Sequence, residues 1–148
     1  MISVELARAL RDSGLTWHPK AGDNFVIDRI EADEEVFTLS DMTVEAHEFS
    51  TGTVLGFNGT TEWALDSVAL EEALWLPRED QLRELLRTTF RSLSISRERY
   101  FVAAIIEGQP REFDAADAAD AYARALLALI DESLGDPLPD IENELPAL

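Results

Sequence analysis

The spacing of apolar residues changes repeatedly along this chain, and each change marks a predicted element. From Ser3 to Ser13, Leu6 and Leu10 recur at helical spacing. Ser3 is a suitable N-cap and Gly14 a left-handed stop, so the segment predicts a helix. Leu15 to Asp23, with Pro19 and Gly22, reads as a loop. Branched and aromatic residues then dominate Asn24 to Ile30, Val36 to Leu39, Thr43 to Phe49 and Thr53 to Phe57. The acidic run Glu31 to Glu35, Ser40-Asp41, Ser50-Thr51-Gly52 and Asn58-Gly59 separate them as turns. This is the pattern of an antiparallel meander.

The stretch Thr60 to Leu76 carries Trp63 and Trp75 and has room for a short helix. Pro77 fits the start of a helix running to about Thr89, with Leu82, Leu85, Leu86 and Phe90 on one face. Leu93 and Ile95 alternate with serines, as in an edge strand. Tyr100 to Ile106 is continuously apolar and predicts a central strand buried on both faces. Gly108 to Pro110 turns the chain into Arg111 to Phe113.

The last helix is expected over Ala115 to Ser133, stopped by Gly135 and Pro137. A residue advances by about 100° around a helix, so with Asp117 at zero, Asp120 lies near about −60°, Arg124 near about −20° and Asp131 near about −40°. Asp114 falls near about +60° if the helix starts that early. The charges form one solvated stripe, and the alanines, leucines, Ile130 and Tyr122 make up a helix pressed against a sheet.

The succession of helix, strands, helix, hairpin and helix predicts an α+β fold. Its antiparallel sheet, a meander plus a C-terminal hairpin, would carry N-terminal, middle and C-terminal helices. A sheet in two parts, each with its own helix, is the variant. Residues 1–135 are expected to form a single domain. Residues 136–148 hold three prolines, four acids and no base. They are expected to be a disordered or loosely docked tail.

Composition narrows the chemistry. The chain has 148 residues, enough to bury a real core. No apolar run approaches the roughly 18–20 residues of a membrane span, and MISVELARALRD lacks the apolar block of a secretion signal. Cysteine is absent, which excludes disulfides, thiol catalysis and thiolate metal sites. A cytoplasmic protein without a cofactor is expected. Thirty acids against 12 bases give a net charge of −18. Such a field disfavours direct binding to nucleic acid or an anionic membrane and favours basic partners. Eleven of the bases are Arg and only Lys20 is Lys, which with the abundant alanine suggests a GC-rich bacterial genome.

Several residue groups are candidates for a site. Asp114, Asp117 and Asp120 are spaced like carboxylate ligands, but Mg²⁺ or Ca²⁺ needs oxygens converging from more than one element. As N-caps and an Asp120–Arg124 surface pair, the same residues need no metal. Glu45 and His47 share a face of a predicted strand, as an acid–base pair or half a metal site. His18, between Trp17 and Pro19, reads as loop packing. Arg83, Arg87 and Arg91 recur every four residues, fit to meet an acidic partner or to form surface pairs. Six of the 12 bases lie between Arg78 and Arg99, a charge asymmetry suited to self-association, including a homodimer, or to an oriented protein partner. GFNGTTEW, Gly56 to Trp63, lacks the lysine of a nucleotide-binding loop and reads as a turn. No GxSxG motif is present. Trp63 and Trp75 would line a ligand site or, more simply, pack.

GFNGTTEWALDSV…EEALWLPREDQLRELL, Gly56 to Leu86, and the helix of REFDAADAADAYARALLALI resemble a family of small uncharacterised actinobacterial proteins. Some members carry the label pilus assembly protein. The second half is also similar to phage-associated proteins with an α–β–α sandwich. The resemblance covers about half of the chain. Its motifs are turns, a helix start and close-packing alanines, and it implies no catalytic residues.

The expected function is a non-enzymatic protein-binding module. The alternatives are a small hydrolase or metal-dependent enzyme using carboxylates with His47, and an acidic nucleic-acid mimic that inhibits a basic protein.

Overall fold

Ser3 starts the first helix as its sequence predicts: the Ser3 hydroxyl accepts the Leu6 N–H at 3.3 Å, and Gly14 follows the helix with φ of 112°. A computed structural model describes residues 1–28, 35–40, 44–49, 52–57, 67–69 and 72–135. In chain order the elements are α1 (Val4–Asp12), β1 (Asn24–Ile27), β2 (Phe37–Thr38), β3 (Val44–Phe49), β4 (Gly52–Phe57) and β5 (Ser67–Ala69). Then come β6 (Ala73–Leu76), α2 (Glu79–Leu86), β7 (Phe90–Ser96), β8 (Arg99–Ile106), β9 (Gln109–Ala115) and α3 (Ala118–Gly135). The fold is α+β. Among the described residues the strands form three antiparallel three-stranded sheets, ordered β2-β1-β6, β3-β4-β5 and β7-β8-β9. The chain divides into two compact units, Met1–Leu15 with Arg78–Leu148, and Thr16–Pro77. The expected tail, 136–148, and Trp63 lie outside the described residues.

The discontinuous unit contains all three described helices and the β7-β8-β9 sheet. The N–H of Arg78 donates to the Gln81 side chain at 2.9 Å at the start of α2. The Arg78 guanidinium hydrogen-bonds Asp80 at 3.1 Å and holds its carboxyl below the ordinary 3.8. Leu82 and Leu86 are fully buried, and α2 packs on α3. Both hairpin turns, Arg97-Glu98 and Glu107-Gly108, have positive φ at their two central residues, as a type I′ turn requires.

In β8, Val102, Ala104 and Ile106 are buried, whereas Phe101, Ala103 and Ile105 are only half-buried. The expected burial on both faces is therefore corrected: α3 packs on β8 and β9, and only one face is fully covered. Helix α3 fits closely because its buried positions are small. Ala119, Ala121, Ala123 and Ala125 are buried with Tyr122 and Leu126. Arg124 and Asp131 are exposed, on the expected solvated stripe. The helix begins at Ala118, later than expected, because Ala115 is taken into β9 opposite Tyr100.

In the Thr16–Pro77 unit, the register places Phe37 opposite Phe25 and Phe25 opposite Trp75 across three strands. One sheet face is thus a row of aromatic rings. Trp17 lies beside it, 5.5 Å from Phe25 and stacked on Trp75 at 6.5 Å between ring centroids. Ile27, Leu39 and Ala73 complete this core. The pairing of β6 with β1 explains why Ala73 to Leu76 is a strand where the sequence left room for a helix. The expected meander is split, since β1 pairs with β2 and β6 while β4 pairs with β3 and β5.

Candidate interaction edge

The three aspartates are separated by their structural duties. Asp114 lies in β9 and receives Arg99 Nε at 2.8 Å. Asp117 accepts the Ala119 N–H at 2.8 Å, the satisfied donor of a helix start, and the Met1 ammonium at 2.9 Å. Asp120 accepts the Ser3 N–H at 2.7 Å, which ties the start of α1 to α3. The expected Asp120–Arg124 pair is replaced by this contact. Among the described residues no group of three or more His, Asp or Glu side chains is placed to hold a metal.

Glu45 and His47 lie in β3 opposite Gly56 and Val54 of β4. Gly56 and Phe57 of the glycine-containing stretch belong to β4, and the rest of it lies outside the described residues. His18 is exposed rather than packed in its loop, because Trp17 alone turns inward to the aromatic core. Arg83 is exposed on α2, and its guanidinium is held in the charged form chiefly by the hydroxyl of buried Tyr122. Arg91 donates to the backbone carbonyls of Thr88 and Phe90, while Arg87 is exposed at the end of α2. The regular spacing of these arginines does not make one site, because the helix ends at Leu86 and Arg91 is already in β7.

Strand β7 is a feature that the candidate residues touched only at Arg91. It is an outer strand of its sheet, and every residue from Arg91 to Ser96 is exposed. Leu93 is 38% and Ile95 62% exposed, among the few large apolar side chains that are. The two-residue turn makes Ser96 and Arg99 the hydrogen-bonded pair that closes the hairpin. Ladder bonds therefore fall at Ser96, Ser94 and Ser92, and the N–H and C=O groups of Leu93 and Ile95 point off the edge. The residues with exposed apolar side chains are the ones that offer backbone bonds.

The other outer strand, β9, is protected. Pro110 removes a donor, and Arg111 and Glu112 put charge along it. Ser92 to Ser96 contains neither proline nor charge. The sequence signal for β7 was the serine alternation itself, which marks a strand but does not say which side stays uncovered. No match to this chain is found among family models, curated proteins or solved structures.

Proposed function

We propose that this chain is a non-enzymatic protein-binding module that takes up a partner strand along β7, with the cytoplasmic location expected from its composition. One observation carries the reading: past Arg91 and the register shift between Phe90 and Ser92, the outer strand β7 runs uncharged from Ser92 to Ser96 and exposes Leu93 and Ile95 with their outward backbone donors and acceptors. Strand addition draws affinity from main-chain bonds and specificity from alternate side chains, and β7 presents both at the same positions.

The test uses the whole chain as bait at low and moderate salt, beside a Leu93→Lys/Ile95→Lys variant. Lysines on an outer strand discourage pairing while leaving an exposed hairpin folded. A binding protein, a second copy included, should be held by the wild type and lost by the variant. A wild-type bait that stays monomeric and holds nothing removes the reading.

A further inference from the structure

We infer that the strand received by β7 is β7 of a second copy of this chain, paired antiparallel about a two-fold axis through Ser94. The inference rests on the strand-addition reading above and names its partner.

The first argument is symmetry. Ser92-Leu93-Ser94-Ile95-Ser96 has the same polar and apolar order in both directions. With the axis at Ser94, Leu93 lies opposite Ile95 of the second copy, and Ile95 opposite its Leu93. Both residues have their backbone groups off the edge, so each such pair closes two main-chain bonds. Their side chains share one sheet face and meet as apolar cross-strand pairs. The serines meet on the other face, Ser94 with its copy and Ser92 with Ser96.

Hydrogen-bond phase excludes most other registers. A shift by one residue sets outward backbone groups against groups already bonded to β8. A shift of the axis to Leu93 keeps the phase but places Ile95 opposite an arginine, Arg91. A shift to Ile95 places Leu93 opposite Arg97. Only the Ser94 axis matches apolar to apolar at both outward positions.

The second argument is charge. Residues 78–99 hold six arginines and four acids, a net +2, so the rest of a chain of net −18 carries −20. Two such chains repel one another through most of their sequence. Contact along β7 instead joins the least acidic segments of the two copies, with the uncharged run Ser92–Ser96 at its centre and Arg91 opposite Arg97 of the second copy at each end. The resulting sheet has six strands and keeps Pro110 at both outer edges.

The register supplies its own test by sedimentation velocity, run from low micromolar to several hundred micromolar chain. The wild type should show a reversible monomer–dimer equilibrium. Leu93→Glu alone and Ile95→Lys alone should each weaken it by roughly tenfold or more, since each puts a charge opposite an apolar residue twice per dimer. An equimolar mixture of the two variants should recover dimer. In the mixed pair the introduced acid faces the introduced base, and the remaining Leu93 and Ile95 face each other. Unchanged far-ultraviolet circular dichroism of each variant shows that the fold is intact. A wild type that stays monomeric throughout overturns the second-copy inference, as does a dimer that neither substitution weakens or one that the mixture fails to restore. Where the second-copy inference fails, the strand-addition reading still stands if the wild-type bait holds another protein that the double-lysine variant loses.

Discussion

Asp23 is 2% exposed and is the buried charged residue of the described core. Its Oδ2 accepts the Trp17 indole N–H at 2.9 Å and the Lys20 backbone N–H at 3.0 Å. Its own backbone carbonyl accepts the Leu39 N–H at 2.8 Å. One carboxylate thus shapes the Trp17–Asp23 loop and sets the position of the indole that stacks on Trp75. Asp23→Ala leaves two donors without their acceptor and should cost about 2–3 kcal/mol. Asp23→Asn keeps an acceptor oxygen and should cost less. Urea unfolding read by tryptophan fluorescence measures both. Proximity of Asp23 to Gly22 marked it as a loop residue, but its burial depends on Trp17 folding inward, which no local pattern states.

At the scale of elements, the β7–β8 hairpin turns through Arg97 and Glu98 at φ of 51° and 63°. A left-handed conformation is unfavourable for residues with a Cβ, and here it is accepted because the twist of a two-residue hairpin demands it. Glu98→Gly should therefore stabilise the protein by about 0.5–1 kcal/mol, the relief of strain exceeding the added entropy of the unfolded chain. The thermal midpoint at 222 nm should rise. A fall would mean that the Glu98 side chain has a stabilising contact. The sequence placed the strands on either side of this turn by alternation and by the apolar run, yet Arg97-Glu98 carries none of the residues that announce such a turn. The same limit applies to the start of α3. Asp114 to Asp117 suits a helix start by composition, and only pairing with β8 assigns Asp114 and Ala115 to a strand.

At the scale of the molecule, the division into two units separates two spectroscopic signals. The three tryptophans, Trp17, Trp63 and Trp75, all fall within Thr16–Pro77, while the described helices all belong to the other unit. Fluorescence reports one unit and the helical circular dichroism the other. Ala123→Leu forces a larger side chain into the fully buried face of α3 and should cost about 1–3 kcal/mol. It should lower the dichroism midpoint in urea more than the fluorescence midpoint. Asp23→Ala should do the reverse. Equal movement of both signals in both variants would show that the units unfold as one.

The sequence by itself determined the α+β class, the positions of α1 and α2, the β7–β8–β9 order and the buried character of α3. Those features follow from periodicity, caps and turn residues, which act between neighbours a few positions apart. The tertiary structure alone decided that β1 pairs with β6, that the strands divide among three sheets, and that Asp120 holds the start of α1. It also decided which outer strand is left open. Leu93 and Ile95 read as any half-buried alternation does, and their exposure results from where α3 lies, over β8 and β9. Such contacts join residues far apart in the chain, and nothing in a local pattern records which partner closes over a given face.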